Sequence, residues 1–239
     1  MKSNITHSVW IGTELSLMEK LTLKLLLKSG YSPTLWVQSF TVQGIPEGVD
    51  VRLLPDDVLK PIRYSGIPHP SINGGGIGSL AHWSDYFAFY ALSRFGGIWV
   101  QLDVAVCKFI QDSRDYWFTA WADNISPVLM KAPKGCIFCT TMTDILRARM
   151  TEDMSTHHWD DAMLLISQVA REMNVLQNAY ILKDSYYDCG GSNYTPYSHA
   201  WSRNYDVIHW SNATNNISKH QPTPGSVYHT LCEECNLIF

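Results

Sequence analysis

The chain has 239 residues, which is enough for one full α/β domain with a large core or for two small domains. Hydrophobic residues make up 46% of it and charged residues 17%, a composition that excludes a disordered tail and a coiled coil. The 18 basic residues are outnumbered by 22 acidic ones, so we do not expect a protein that binds nucleic acid through its phosphates.

The sequence shows no segment of the kind that enters a membrane. Lys20, Lys24 and Lys28 interrupt the longest apolar run, and the first residues have no apolar stretch typical of a signal peptide. We therefore expect a soluble, cytoplasmic protein without a membrane span.

The first fifty residues predict a βαβ opening. Residues 8–12 predict a strand, and Ser16 with Glu19 forms a capping-box pattern for a helix that ends at Gly30. Residues 34–37 and 49–54 predict two further strands. A strand, a helix and a strand in so short a stretch indicate a parallel sheet.

A second helix is predicted from about residue 79 to Phe95, with Gly96 and Gly97 as its stop. It is apolar on every side, which predicts a central position in the fold. Asp85 is the one acid in its middle. Because an unpaired buried carboxylate is costly, we expect Asp85 to face a positive group or a polar cavity, or to bond local backbone donors.

The next segment predicts one strand with two different faces. Residues 98–106 alternate with a period of two, so that Trp99, Gln101 and Asp103 would share one face. Open α/β sheets bind ligands at the carboxyl ends of their strands. We therefore expect Gln101 and Asp103 to hold a divalent cation or a sugar hydroxyl, the alternative being a strand with one face in water.

The second half gives fewer signals. Residues 118–122 and 135–139 predict buried strands, and residues 205–212 predict a last strand. A helix is predicted from about Asp160 to Met173, with Asp160 and Asp161 in its first turn. No internal repeat or flexible linker divides the chain. We therefore expect a single domain over residues 1–239.

Six cysteines include two C-x-x-C pairs, Cys136 with Cys139 and Cys232 with Cys235. Two such pairs can hold zinc. The two pairs are far apart in the sequence, however, and the first falls within a predicted strand, where this spacing does not bring both thiols to one ion. We therefore expect ordinary thiols, with zinc as the less favoured alternative.

Three motifs together resemble a known family. They are the run Val9 to Gly12 (VWIG), the pair Ser84-Asp85 in an apolar helix, and residues 94–104 (RFGGIWVQLDV). The glycosyltransferases that have a DXD-containing sugar-binding region are similar, among them family 32, the capsular polysaccharide synthesis proteins and the catalytic domain of the clostridial glucosylating toxins. The likeness extends over residues 8–108.

This resemblance implies a GT-A fold, that is, a single Rossmann-like α/β domain with a mixed, mainly parallel central sheet. Residues 1–108 would form the donor-binding half, and residues 109–239 the acceptor half with a carboxy-terminal loop. It further implies transfer of a sugar from a UDP-sugar donor to a glycan acceptor, as in polysaccharide biosynthesis, with Mn²⁺ or Mg²⁺ as the cofactor.

The same resemblance assigns roles to individual residues. Asp103 matches the acid that binds the metal, Trp10 the aromatic side chain that stacks on uracil, and Asp85 the acid that binds hydroxyls of the donor sugar. His209 is a second candidate metal ligand, the alternative being a strand histidine bonded to the backbone. The other implied donor-site positions are Ile11, Gln101, Leu102, Trp210, Ser211 and Asn212, the last three in a loop that would close over the diphosphate.

Two departures from the family pattern leave a second reading open. Gln101 replaces the first acid of the DXD motif, which predicts weaker metal binding, and Ala88 replaces an arginine. The alternative is a sugar-nucleotide or carbohydrate-binding relative of the same fold that has lost catalysis. A nucleotidyltransferase is less favoured, because residues 12–15 and 74–78 contain no P-loop.

The stereochemical course decides whether a catalytic base is needed. A retaining enzyme needs no strong protein base, because the leaving phosphate can accept the proton of the acceptor. An inverting enzyme needs a carboxylate, and Asp160 and Asp161 are the candidate catalytic residues. We favour retention of configuration. The alternative to a catalytic role for Asp160 and Asp161 is that both cap the helix.

Overall fold

The computed structural model describes residues 4–121, 123–182, 206–210 and 218–238. Within these ranges, no helix combines the length and the apolarity that a bilayer crossing requires. The helices are α1 (Leu17–Lys28), α2 (Ala81–Phe95), α3 (Ile137–Thr151), α4 (Asp161–Glu172) and α5 (Val227–Glu234). The strands are β1 (Ile5–Trp10), β2 (Ser32–Val37), β3 (Asp50–Leu53), β4 (Gly97–Val100), β5 (Val104–Val106), β6 (Trp117–Trp121), β7 (Asn124–Ala132), β8 (Tyr180–Leu182) and β9 (Val207–His209).

Seven strands form a mixed sheet in the order β3-β2-β1-β4-β7-β6-β8. The pairs β1/β2, β2/β3 and β6/β8 are parallel, whereas β4/β7 and β6/β7 are antiparallel. The two remaining strands, β5 and β9, form a separate antiparallel sheet. A mixed, mainly parallel central sheet with helices is the fold class that the sequence predicts, and it is confirmed.

The βαβ opening is also confirmed, because its local signals agree with its packing. The backbone N–H of Ser16 donates to the Glu19 carboxylate at 2.8 Å, which satisfies one free donor at the start of α1. The buried side chains of α1 are aliphatic except for Glu19 and Thr22, and the helix ends at Lys28 before Gly30, whose φ of +87° suits a glycine.

Helix α2 is buried around most of its circumference, as its apolar sequence predicts. Its buried side chains include Trp83, Tyr86, Phe87, Phe89, Tyr90 and Leu92. The helix stops at Gly96, where φ is +67° and a Cβ atom would lie 2.6 Å from the backbone nitrogen of Lys134. Only glycine accepts both the left-handed backbone and this close approach.

The prediction of one strand over residues 98–106 is wrong. Strand β4 ends at Val100, the chain turns over residues 101–103, and β5 begins at Val104 in the smaller sheet. All four residues of β4 are buried, and Trp99 is 1% exposed. The alternation in the sequence therefore does not separate a buried face from a solvated one, since both faces of β4 are covered.

The interior of the protein holds this turn in place. Leu102 is 8% exposed and packs in an aliphatic cluster with Leu15, Leu23, Leu35 and Val37. Its carbonyl oxygen accepts a hydrogen bond from the Thr22 hydroxyl of α1 at 2.8 Å. The strand therefore breaks between β4 and β5, because Leu102 is buried in this aliphatic cluster.

The prediction of a buried strand over residues 135–139 is also wrong. Cys136 is the N-cap of helix α3, and Ile137, the first helical residue, is 74% exposed. The buried side chains Phe138, Met142, Leu146 and Met150 recur with helical spacing. Residues 135–139 form a short apolar run at the start of this helix. Such a run does not distinguish a buried strand from a helix by its composition, which explains the error.

Two compact units make up the chain. The α1 unit comprises Asn4–Leu53, Gln101–Gln111 and the described residues from 206 onward, and the α2 unit comprises Leu54–Val100 and Asp112–Leu182. Each unit is built from segments that are separate in the sequence. The division into a donor-binding half, 1–108, and an acceptor half, 109–239, stays a prediction. A single functional domain over residues 1–239 stays a prediction.

We expect Thr22→Val to destabilise the protein by about 1–3 kcal/mol, because it leaves the buried Leu102 carbonyl without its hydroxyl donor. The measurement is the free energy of unfolding from denaturant titration. Thr140→Val is the matched control, since the exposed Thr140 hydroxyl bonds the Cys136 carbonyl within the same helical turn. Equal losses in the two variants would contradict an anchoring role for Thr22.

Candidate functional site

The turn at residues 101–103 brings Asp103 next to His209. Strands β5 and β9 pair antiparallel with Val104 opposite His209, and the Trp210 N–H donates to the Asp103 carbonyl oxygen at 2.9 Å. In consequence, Asp103 Oδ2 lies 3.4 Å from His209 Nε2. The Asp103 side chain is 21% exposed and the His209 side chain 11%, so the pair is largely shielded but open to solvent on one side.

The chemistry of this pair suits a divalent cation. Carboxylate oxygen and imidazole nitrogen are both ligands of Mn²⁺, and adjacent ligand atoms around an octahedral ion with bonds of about 2.1 Å lie about 3 Å apart. Among the described residues, no group of three or more His, Cys, Asp or Glu side chains could enclose an ion. A cation at Asp103 and His209 would therefore need further ligands from a bound molecule or water.

Trp10 ends β1, with its indole ring half-buried against the same aliphatic cluster that holds Leu102. The ring lies over the backbone of Gly12, where a Cβ atom would be 2.9 Å from the indole nitrogen. Gly12 therefore permits this position of the ring. In the part of the chain that the structure describes, the Trp10 Nε1 hydrogen finds no acceptor.

Lys219 is a site residue that the sequence analysis missed. Its ammonium group lies 6.0 Å from the centroid of the Trp10 ring and 2.7 Å from Glu19 Oε1. Glu19 is completely buried, and its other oxygen accepts the Ser16 N–H. The capping acid of α1 thus also fixes a cation beside Trp10. Two hundred residues separate Lys219 from Glu19, and no local pattern in the sequence connects them.

Trp210 lies in the core, with its side chain 1% exposed. Its ring packs on Tyr228 of α5 with centroids 5.3 Å apart, and burial raises the pKa of that tyrosine. The structure therefore places the Trp210 indole away from solvent, whereas its backbone N–H holds Asp103. Ser211 and Asn212, the other two positions of the implied loop, lie outside the described residues.

The other implied donor-site positions differ in exposure. Ile11 and Gln101 are half-buried, whereas Leu102 is buried in the aliphatic cluster. Asp85 belongs to the α2 unit and is 8% exposed, and Ala88 on the same helix is completely buried. An arginine, as the family pattern has at position 88, would have to enter this core.

Asp160 and Asp161, the candidate bases, both contact basic side chains within the α2 unit. Asp160 is the N-cap residue of α4, and its carboxylate lies 3.2 Å from His69 Nε2. Asp161 accepts from the Arg149 guanidinium at 2.9 Å and from the His158 N–H at 3.0 Å. These contacts fix the start of α4, as expected for acids at a helix amino terminus.

An aromatic cluster lies next to these two acids. The rings of Tyr64, His82 and Trp159 have centroids 4.6–5.3 Å apart, and a ring nitrogen of His82 bonds the Trp159 carbonyl oxygen at 3.0 Å. Burial lowers the pKa of His82 and raises that of Tyr64. Both side chains therefore stay neutral near pH 7, and the cluster positions the segment before α4 by packing.

No known family profile matches this chain, and no curated protein sequence matches it. Several solved structures with a similar fold are glycosyltransferases. The galactosyltransferase LgtC in complex with donor and acceptor sugar analogues is 10% identical with a TM-score of 0.53, over 97% of this chain and 95% of that one. An LgtC active-site mutant is 11% identical with a TM-score of 0.52 over the same shares.

The apo form of the glycosyltransferase GlyE of Streptococcus pneumoniae TIGR4 is a third similar structure. It is 10% identical with a TM-score of 0.51, over 100% of this chain and 61% of that one. At such low identities the likeness shows the fold alone. The chain has the GT-A glycosyltransferase fold that the sequence motifs imply.

We expect Lys219→Met to lower the free energy of unfolding by about 1.5–3 kcal/mol, because it leaves the buried Glu19 carboxylate without its cation. Lys28→Met is the matched control, since Lys28 pairs with Glu234 at 3.6 Å on the surface, where such pairs contribute about 0–1 kcal/mol. Denaturant titration measures both variants.

A double variant tests the cause of this loss. Glu19→Gln removes the buried charge while keeping an acceptor for the Ser16 N–H, so the double variant should be more stable than Lys219→Met alone. If it is not, the stability of this region does not depend on the charge of Glu19.

Proposed function

We propose that this protein is a glycosyltransferase that uses a UDP-sugar donor and a divalent cation. The observation that carries the proposal is the approach of Asp103 to His209, 3.4 Å apart in the GT-A fold. The two strands that bring them together are at least 101 residues apart in the sequence, and both side chains are largely shielded from water.

Asp103 and His209 would hold Mn²⁺ or Mg²⁺, with the diphosphate of the donor supplying further ligands. A cation bound there would neutralise charge on the departing diphosphate. Gln101 brings no charge to this position, so the affinity for the cation alone is expected to be low. The cation and the nucleotide would then bind together.

Trp10 would bind the nucleoside, because a half-buried indole offers a flat apolar face on which a uracil ring can stack. Lys219 lies beside the same ring and offers a positive charge that is 32% exposed. Such a charge favours a diphosphate close to the base. Asp85 would accept hydrogen bonds from hydroxyls of the donor sugar, and a glycan would be the acceptor.

We propose that the reaction retains the configuration of the donor sugar. The contact of Asp160 with His69 and the ion pair of Asp161 with Arg149 support an anchoring role for both acids at α4. A retaining reaction needs neither of them as a base, since a phosphate oxygen of the donor can take the acceptor proton.

A second candidate function is binding of a sugar nucleotide without transfer. Gln101 favours it, because the amide removes one of the two charges of the DXD motif. Ala88, completely buried in α2, favours it as well, because one expected contact to the donor sugar is missing.

We expect the purified protein to hydrolyse its UDP-sugar slowly with Mn²⁺ and to stop when EDTA removes the metal. Asp103→Asn and His209→Asn should each lower turnover by about tenfold or more, since the first removes the negative charge of one ligand and the second removes the imidazole nitrogen, while the backbone contacts remain. The measurement is release of UDP, with a panel of UDP-sugars screened first by thermal shift.

Asp206→Asn provides the matched control for these variants. Asp206 precedes β9 and pairs with Lys108 at 3.6 Å, away from the proposed ligands, so its variant should keep full turnover. Donor binding without any UDP release would favour the binding protein over the enzyme. Full turnover of Asp103→Asn in Mn²⁺ would overturn the proposed metal site.

We expect Trp10→Ala to weaken the binding of UDP by roughly 1–3 kcal/mol, the range for stacking of a base on an aromatic side chain. Trp10→Phe keeps an aromatic face and should lose less. Isothermal titration with UDP and Mn²⁺ measures both. Unchanged affinity of Trp10→Ala would place the base elsewhere.

A further inference from the structure

The two C-x-x-C pairs have the same spacing but lie at opposite ends of helices. Cys136 is the N-cap residue of α3, and Cys139 is in its first turn. Cys232 is in the last turn of α5, and Cys235 is the C-cap residue. A thiolate is stabilised at a helix amino terminus by the free N–H groups and the positive end of the dipole, and disfavoured at a carboxyl terminus.

The sulfur of Cys136 caps the amino terminus of α3, as the side-chain oxygen of an N-cap serine does in other helices. It accepts a hydrogen bond from the Cys139 N–H at 3.4 Å, so the side chain of Cys136 is turned toward Cys139. Residues three apart at a helix start have neighbouring Cβ atoms, and the cap residue lies outside the helical hydrogen-bond ladder. Closing a disulfide between the two sulfurs therefore requires only a local movement.

The surroundings separate the two thiols of this pair. Cys136 is half-buried and follows Gly135, whereas Cys139 is completely buried in α3. Hydrogen bonds from the Cys139 thiol and its N–H, and from the Tyr116 hydroxyl, lower the pKa of Cys136 to about 6. Donation to Cys136 and burial raise the pKa of Cys139 well above its ordinary value. One sulfur is thus a reachable nucleophile, and the other is a shielded thiol beside it.

Tyr116 belongs to the segment before β6 and is held by packing. Its ring stacks on Phe118 and meets the edge of Phe138, with centroids 6.4 Å apart in both cases. Burial, together with Cys136, Cys139 and Asp115, raises the pKa of its hydroxyl, which therefore stays a hydrogen-bond donor at neutral pH.

The second pair has none of these features. Cys232 is completely buried and Cys235 is 6% exposed, and burial raises the pKa of both, to about 12 for Cys232. Lys24 and Lys28 offset part of this shift at Cys235, which Glu234 increases. These thiols stay protonated and shielded, so the chain contains its own comparison pair.

We propose that Cys136 and Cys139 form a redox-active dithiol that exchanges with small-molecule disulfides, with Cys136 as the attacking sulfur and Cys139 as the resolving one. This site is in the α2 unit and is independent of the proposed transfer reaction.

The exchange has two steps. The Cys136 thiolate attacks one sulfur of a disulfide RS–SR, the S–S bond breaks, and RS⁻ leaves with the electron pair to be protonated by solvent. The sulfur of Cys139 then loses its proton to solvent and attacks the sulfur of Cys136, and the second RS⁻ leaves and is protonated. One RS–SR is reduced to two RSH, while the dithiol is oxidised to a disulfide by two electrons.

The test treats the folded 239-residue chain with oxidised glutathione and maps the products by peptide mass under non-reducing conditions. We expect an internal Cys136–Cys139 disulfide. Cys139→Ser should instead accumulate glutathione on Cys136, because the resolving sulfur is gone. Cys136→Ser should show neither product. Serine is a good N-cap residue, so this variant should keep helix α3, which circular dichroism checks.

The comparison pair supplies the matched controls. Cys232→Ser and Cys235→Ser should form the Cys136–Cys139 disulfide as readily as the unchanged protein. Glutathione distributed equally over Cys136, Cys232 and Cys235 would overturn the proposal, as would a protein whose Cys136 and Cys139 both stay reduced.

The pH profile of alkylation gives an independent readout. At pH 7 a thiol of pKa about 6 is about 90% ionised and one of pKa about 8.5 about 3%, a ratio of about thirty in thiolate. Iodoacetamide should therefore label Cys136 with a midpoint near pH 6, and Tyr116→Phe should move that midpoint upward. A midpoint above pH 8 in the unchanged protein would contradict the proposed nucleophile.

Discussion

The turn at residues 101–103 is the constraint on which the candidate site depends. Leu102 fills an aliphatic cluster, and Thr22 holds its carbonyl oxygen, so the chain leaves the large sheet at this point. Asp103 follows as the first residue beyond the buried leucine and bonds the Trp210 N–H through its carbonyl oxygen. Pairing of β5 with β9 then sets the Asp103 carboxylate beside His209. The backbone contacts of Leu102 and Asp103 thus contribute to the position of this carboxylate.

Local signals in the sequence predict the first strands and helices well, since periodicity and caps agree there with tertiary packing. They fail where a buried segment has two covered faces or begins a helix. Residues 98–106 alternate like a strand with one solvent-exposed face, although both faces of β4 are buried. Residues 135–139 have the composition of a strand, although Cys136 is the N-cap residue of helix α3. In each case one hydrogen bond determines the local structure. The Thr22 hydroxyl donates to the Leu102 carbonyl oxygen, and the Cys139 N–H donates to the Cys136 sulfur. The amino-acid composition of a segment does not predict such pairs.

The candidate site likewise contains residues that the sequence predicts and one that it does not. The family resemblance points to Asp103 and His209, and the structure places them 3.4 Å apart. It does not point to Lys219, whose position depends on Glu19, two hundred residues earlier. It assigns Trp210 to a loop over the diphosphate, yet the Trp210 ring is buried on Tyr228. The motifs predict which residues lie close together, whereas burial decides which of their atoms are accessible from solvent.

The discontinuous make-up of the α1 unit has a consequence for biosynthesis. β5 leaves the ribosome about a hundred residues before β9, its partner in the small sheet, and α1 precedes the helix α5 with which it shares a core by some two hundred residues. The part of the α1 surface that packs on α5 therefore stays uncovered on the nascent chain until α5 has been synthesised. Synthesis of α5 completes the core of the α1 unit.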